Sequence, residues 1–223
     1  MSLKRRFLLQ LISTACAGTL IGLSSSAFAA DEAPDALIDR LTKEAIDTIE
    51  TDKRVQAGDI VRIMELLDEK VMPYLNFLRM TREAVGPAWR EATPEQRKRL
   101  EAEFKILLVR TYSGAMSQAK NLRFKVRPLR ADPADNEVIV RTQILGRGDP
   151  VQLDYRLEKT PGVGAGWKIY NLNVLGVWLV DTYRSQFAQE VNSKGLDGLI
   201  TTLSDRNKSN AAGDAKSAKA AKG

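Results

Sequence analysis

The chain of 223 residues contains no histidine and a single cysteine, Cys16. The missing histidine excludes His-based triads and removes the side chain that most often serves as a general base near neutral pH. With one thiol the chain forms no internal disulfide and has no Cys/His zinc site. Any catalysis must therefore rest on carboxylates, tyrosine, serine or lysine. A charge of one sign is also lacking. The formal net charge of +6 is concentrated at the two ends. Lys4, Arg5 and Arg6 account for part of it, and residues 206–223 carry five basic residues against Asp214. The stretch 30–205 holds 26 basic and 27 acidic residues. Nucleic-acid binders usually carry their basic excess on the folded domain, so this near-neutral body argues against a nucleic-acid partner.

The only long apolar run is at the N-terminus. Lys4-Arg5-Arg6 precedes a run from Phe7 to about Leu23, and the small-residue pattern Ala27-Phe28-Ala29 follows. This is a Sec-type secretory signal with an A-x-A cleavage site, which assigns residues 1–29 to a cleaved segment. The run is short and Ser/Thr/Gly-rich for a retained anchor. Ser13 stands three residues before Cys16, where a lipoprotein signal wants an aliphatic residue. Cleavage removes Cys16 and leaves a mature chain without thiols, suited to an oxidising compartment. Residues 30–205 form one domain with room for a sizeable core. The Ala/Lys/Ser/Gly-rich segment 206–223 is expected to be a disordered basic tail. Its cations suit weak attraction to an anionic membrane surface.

The first half of the domain is helical in pattern. Leu37, Leu41, Ala45 and Ile49 recur at four-residue spacing from Pro34 to about Asp52. Asp59 is placed to cap a helix burying Ile60, Ile63, Met64, Leu67 and Val71. Pro73 bends the chain after Met72. Leu75–Val85 reads as a third helix with Leu75, Leu78 and Arg82 along one side. Gly86-Pro87 breaks it before a short helix holding Trp89. Thr93-Pro94-Glu95-Gln96 is a helix start with a capping box, opening a long helix to about Gln118. Leu100, Phe104, Leu107, Leu108 and Tyr112 form its apolar stripe.

The period then changes to two. Phe124 and Val126 alternate with Lys125 and Arg127. Val138, Val140 and Ile144 alternate with polar residues, as do Val151, Leu153, Tyr155 and Leu157. Turn residues at 132–135, 146–150 and 160–164 separate these strands. Trp167–Val174 is a less regular fourth strand. Two helices, about Leu179–Asn192 and Leu196–Ser204, close the body. The expected architecture is α+β, a twisted four-stranded antiparallel sheet with helices massed on one face, cone-like with an apolar cavity. Periodicity does not distinguish a lined cavity from a packed core.

The segment from Trp167 to Leu203 carries more specific information. A strand runs into Gly176 and the apolar run Val177–Val180. The pattern Tyr183-Arg184-x-Gln186-Phe187 follows, and then Gly195-x-Asp197-Gly198-Leu199-Ile200. Together with Val71-Met72-Pro73-Tyr74, Ala92-Thr93-Pro94-x-Gln96-Arg97, Leu107-Leu108 and Thr111-Tyr112, this order resembles the MlaC or toluene-tolerance family. Members of that family are periplasmic phospholipid carriers of the Mla (maintenance of lipid asymmetry) pathway. The resemblance covers roughly Ala33 to Leu203. Asn171, Leu175 and Trp178 depart from it, standing where the family pattern has Asp, Glu and Ser. Trp178 is instead placed to narrow or cap a pocket.

The resemblance implies a periplasmic, monomeric carrier with a bound phospholipid as cargo and no cofactor. Its implied partners are an outer-membrane lipoprotein–porin complex and an inner-membrane ABC transporter with a ring-shaped lipid-binding subunit. The expected lipid-lining residues on the helices are Leu78, Trp89, Phe104, Leu107, Leu108 and Tyr112. On the strands they are Phe124, Val126, Val138, Val140, Ile144, Leu153, Tyr155 and Leu157, with Val177 and Trp178 beyond. Arg82, Arg110, Arg147 and Arg184 are the candidate phosphate ligands, with Arg184 expected to pair with a carboxylate instead. Two other classes remain open. One is an enzyme using Tyr112 or Tyr155 with a buried carboxylate. Against it, the neighbouring acids Glu101/Glu103 and Asp68/Glu69 do not face each other on a helix, and Asp154 points away from Tyr155. The other is a ligand-free periplasmic adaptor with a solid core.

Overall fold

A computed structural model describes residues 32–117, 122–132, 134–146 and 150–220. The signal segment and Arg147 lie outside the described residues.

Helix α1 (Pro34–Thr51) has Pro34 and Asp35 in its first turn and buries Leu37 and Ile38. The Asp52 side chain accepts hydrogen bonds from the amides of Arg54 and Val55 and caps the short helix α2 (Lys53–Gln56). Asp59 caps α3 (Ile60–Leu66) by accepting from the Arg62 amide, as expected. A π-helical turn (Leu67–Val71) and a 3-10 turn (Met72–Tyr74) then redirect the chain around Pro73, which has no amide hydrogen to continue a helix.

Asn76 caps the next helix through the Arg79 amide at 2.9 Å, so α4 begins at Phe77 and spans Phe77–Val85. Its buried face is Phe77, Met80, Thr81 and Ala84, spaced i, i+3, i+4 and i+7. Leu78, expected to point inward, is 51% exposed. One residue along a helix is a rotation of about 100°, enough to carry a side chain from core to solvent. Gly86 ends the helix at φ 73°, and a 3-10 turn (Gly86–Arg90) carries Trp89. The capping box is formed as read. The Gln96 amide donates to Thr93 Oγ1 at 3.1 Å, and the Thr93 amide donates to Gln96 Oε1 at 3.0 Å. Helix α5 follows (Pro94–Ser117).

The sheet is an antiparallel meander in the order β1 (Arg123–Val126), β2 (Glu137–Leu145), β3 (Val151–Lys159), β4 (Trp167–Val174) and β5 (Val177–Trp178). The α+β class is as expected. The sheet has five strands rather than four, because the chain turns at Leu175-Gly176 and adds two paired residues. The register places Phe124 opposite Ile144, Val140 opposite Tyr155, Val138 opposite Leu157 and Thr142 opposite Leu153. All these side chains therefore share one face, here the inner face. A bulge at Tyr170 shifts the β3–β4 register, with Arg156 opposite Asn171 and Leu157 opposite Ile169. It lets Trp167, Ile169 and Leu172 stay on the inner face and frees Tyr170 to reach the helices.

The last helix, α6 (Leu179–Ala220), is broken at Gly195, with φ 70° and ψ −175°. This agrees with two closing helices. Disorder from 206 onward was expected, but the helix runs on to Ala220. The side chain of buried Asn207 donates to the Glu103 carbonyl and carboxylate at 3.0 and 2.7 Å. Alanine-rich sequence has high helix propensity, and this tie to α5 gives the extension an anchor.

Apolar burial falls into three clusters. The first joins α4, α5 and α6 with Trp89 and Tyr170; Phe104 packs against Phe77, Tyr183 and Phe187 at ring separations of 5.8, 5.0 and 5.3 Å. The second presses Leu37 and Ile38 of α1 onto the inner face at Val138, Val140, Tyr155, Leu157, Trp167 and Ile169. The third, around Val55, Ile63, Leu66 and Val109, ties α2 and α3 to α5. Leu75 and Leu172 border both of the first two. A domain of this size usually has one contiguous core.

Candidate functional site

The inner face of the sheet is not evenly covered. At one end Val138, Val140 and Leu157 are 7%, 0% and 0% exposed beneath α1. Toward the β2–β3 turn, Phe124, Val126, Ile144, Val151 and Leu153 are only half-buried although they lie on the same face. Leu41 and Ile49 of α1, Met64 and Leu67 next to α3, and Leu108 and Tyr112 of α5 are also half-buried at the cluster edges. The interior is thus sealed at the Val138/Leu157 end and leaves apolar surface uncovered at the other.

The sealed end is locked by charge on the outer face. Register sets Glu137 directly opposite Glu158, a like-charge pair that by itself destabilises a sheet. Arg79 of α4 resolves it. Its guanidinium lies 2.7 Å from Glu137, 2.5 Å from Glu158 and 2.7 Å from Glu83. It also stacks 3.5 Å from the centre of the Tyr170 ring. The Asn76 side chain donates to Glu158, and the Tyr170 hydroxyl donates to Glu137 at 2.9 Å. Burial alone lowers the Arg79 pKa, but the hydrogen bonds to Glu83, Glu137 and Glu158 outweigh it and hold the guanidinium firmly protonated. Arg79 in turn holds the Glu137 carboxyl below its usual range. Burial and the Glu137 hydrogen bond push the Tyr170 phenol up to about 12. A cleft of about 500 Å³ over this network is lined by Arg79, Glu137, Tyr170, Arg156, Asp181 and Arg184, among others.

The expected lining residues divide into several groups. Phe124, Val126, Val138, Val140, Ile144, Leu153, Tyr155 and Leu157 share the inner face, the first two and Ile144 and Leu153 at its open part. Leu108 and Tyr112 are half-buried on α5. Trp89, Phe104 and Leu107 are buried in the cluster that joins α4, α5 and α6, where Phe104 contacts Tyr183 and Phe187. Leu78 is on the surface. Val177 is 51% exposed at the sheet corner. Trp178 pairs with Asn173 and so stands on the outer face, with its ring centre 4.0 Å from the Arg156 guanidinium. It therefore covers Arg156, which lines the outer-face cleft.

Of the arginines weighed for a phosphate, Arg184 donates to the Glu83 carbonyl at 2.8 Å and lies 3.9 Å from its carboxylate, the structural pairing expected. Arg82 is exposed and Arg110 half-buried. Tyr155 is deeply buried, and burial raises its phenol pKa. Asp154 sits on the other face, accepting from the Thr142 amide at 3.1 Å and the Gln152 side chain at 2.6 Å. A tyrosine–carboxylate pair is thus not assembled there. Arg79 was missed. Its i,i+4 spacing to Glu83 is visible in sequence, but the opposition of Glu137 and Glu158 depends on strand register.

The architecture can now be compared with known proteins. The MlaC protein family model matches residues 39–205, from α1 into the second part of α6. The chain belongs to the MlaC family. A phospholipid-binding protein from Ralstonia solanacearum, solved in complex with a phospholipid, is 38% identical with a TM-score of 0.76, covering 79% of this chain and 98% of that one. The toluene tolerance protein ttg2D of Pseudomonas putida is 31% identical over 108 residues, 48% of this chain. That alignment spans about half the length of ttg2D, 49%. The intermembrane phospholipid transport system binding protein MlaC of Haemophilus influenzae is 20% identical over 176 residues, covering 78% of this chain and 82% of that protein. The family expected from the Trp167–Leu203 pattern is therefore the one found.

Proposed function

We propose that this protein is a periplasmic carrier that holds a diacyl phospholipid by its acyl chains and moves it between the outer and inner membranes. The observation that carries this reading is the likeness, over nearly the whole of its length, to the Ralstonia protein that binds a phospholipid. The half-buried inner-face residues Phe124, Ile144, Val151 and Leu153 support it, since an interior that leaves apolar surface uncovered gains from an apolar occupant.

Each methylene leaving water gains roughly 0.8 kcal/mol, so two chains of about 30 methylenes in total gain on the order of 24 kcal/mol. A bilayer offers a similar gain. The carrier therefore needs little preference over the membrane, but it must keep the chains from water in transit and release them only on docking. The headgroup stays wet, which avoids desolvating the phosphate. The docking partners in this reading are an outer-membrane lipoprotein–porin complex and an inner-membrane ABC transporter with a ring-shaped lipid-binding subunit. Organic extraction of the purified protein followed by mass spectrometry tests the reading. Stoichiometric phospholipid is expected, and a protein that carries none overturns it.

A further inference from the structure

The β4–β5 turn has a leucine where its geometry disfavours one. Leu175 and Gly176 have φ of 54° and 87° between the paired residues Val174 and Val177. This is a two-residue hairpin turn of the I′ kind, which favours Asn, Asp or Gly at its first position. Leu175 is the only non-glycine residue with positive φ among the described residues. It is held there by its amide donating to the Gln152 carbonyl at 3.1 Å, while the Gly176 amide donates to Asn173 Oδ1 at 2.9 Å. Leu175 is 68% exposed and Val177 51%, two of the five exposed large apolar residues among the described residues. Strain together with exposed apolar surface points to a contact made outside the chain.

The position of the turn identifies the occupant. It lies at the end of the sheet where the inner face is uncovered, beside Val151 and Leu153. Leu122 and Leu145, at the same end, are half-buried. The described residues at this end, 122–125, 144–146, 150–153 and 174–178, include exposed Arg123 and Lys125 and no carboxylate. These cations stand on β1, at the opposite edge of the sheet from β5, so this end as a whole presents an apolar tip at one edge and cations at the other. That pattern matches the flat surface of an anionic phospholipid bilayer, whose phosphates attract the cations while the acyl boundary takes the aliphatic side chains.

We infer that the β4–β5 tip is a membrane anchor: Leu175 and Val177 enter the headgroup–acyl boundary of an anionic bilayer and bring the open end of the interior to its surface. The inference rests on the carrier reading, because the tip is needed only if a lipid passes through that end.

The test uses protein purified from the periplasm and sedimented with vesicles of phosphatidylethanolamine and phosphatidylglycerol, against vesicles of phosphatidylcholine alone. The parent is expected to pellet with the anionic vesicles and less with the neutral ones. Leu175→Asn suits the positive φ and removes the apolar group, and Val177→Thr keeps the β-branch. The double variant should retain its thermal transition and lose at least about tenfold in partitioning. Leu175→Asn alone, which has no reason to impair folding, should lose part of it. Brominated acyl chains should quench Trp178 fluorescence in the parent and not in the double variant. Pelleting that is absent in the parent, or unchanged in the variants, overturns the anchor. Mass spectrometry of the same preparations separates the two ideas. Phospholipid present with unchanged pelleting rejects the tip alone, whereas phospholipid absent from the parent rejects the carrier.

Discussion

The two ends of one β-sheet solve different problems in this protein. At the Val138/Leu157 end, α1 seals the inner face and Arg79 bridges three glutamates on the outer face. At the Ile144/Val151 end the same strands, with the same alternating pattern, leave their apolar side chains half-covered and finish in an exposed, positive-φ leucine. The difference does not lie in strand composition. It lies in what is laid over each end. A strand pattern states which face is apolar; it does not state whether that face is met by the protein's own side chains or left for another molecule.

The contrast can be broken most strongly at the sealed end. Leu157→Ala opens a cavity beneath α1 and should cost about 3 kcal/mol in denaturant-measured stability, whereas Leu153→Ala, at the open part of the same strand, should cost about 1 kcal/mol. Equal losses at the two sites would remove the distinction between the ends. Arg79→Met leaves Glu137 and Glu158 opposed without a cation and should cost about 2 kcal/mol at neutral pH.

The same network predicts an acid dependence. The Glu137 carboxyl is held below its ordinary value of 4.5. Its contribution is therefore complete above that value and fades as pH falls from 4.5 through the lower folded value. The parent should lose stability over that range, and Arg79→Met should lose correspondingly less. Parallel pH profiles for the two proteins would show that the network is not coupled in this way.

At the open end the expected effect on ligand exceeds the effect on folding. Leu153→Arg sets a charge among the half-buried side chains and should lower co-purifying phospholipid severalfold in mass spectrometry, with the protein still folded by circular dichroism. The smallest effect is on stability at the tip. Leu175→Asn should leave the melting temperature unchanged or slightly raised, since the positive φ costs leucine about 1 kcal/mol. A clear fall would mean that the leucine packs within the fold after all.

Much of this structure was legible in the residues. The Thr93/Gln96 box and the Asp59 cap are local devices whose partners lie three residues away, so sequence suffices to place them. The inner face follows from a period of two, and the register of β1, β2 and β3 kept Phe124, Val140, Tyr155 and Leu157 together as read. The failures have a common cause. Leu78 is expected inward because Leu75, Leu78 and Arg82 share a helical side, but Leu75 lies outside the helix, before the Asn76 cap, and the stripe Phe77, Met80, Thr81 and Ala84 faces the core instead. Where Trp178 stands depends on the Leu175-Gly176 turn, which pairs it with Asn173 on the outer face. Phe104 and Leu107 are apolar and inward as read, in a cluster that joins three helices with Tyr170 of the sheet. The helical extension past 206 depends on Asn207 meeting Glu103, residues separated by 104 positions.

Sequence alone determined the class of the domain, the order of its elements, the apolar face of each strand and, through the Trp167–Leu203 pattern, the family. These are set by spacing and local chemistry, which are carried in the chain itself. Tertiary structure alone decided that Glu137 and Glu158 face each other and need Arg79, that Trp178 lies outside, and that one end of the inner face is sealed and the other uncovered. Those outcomes depend on strand register and on which helix covers which surface. Both are fixed by contacts between residues far apart in the chain, and no local pattern encodes them.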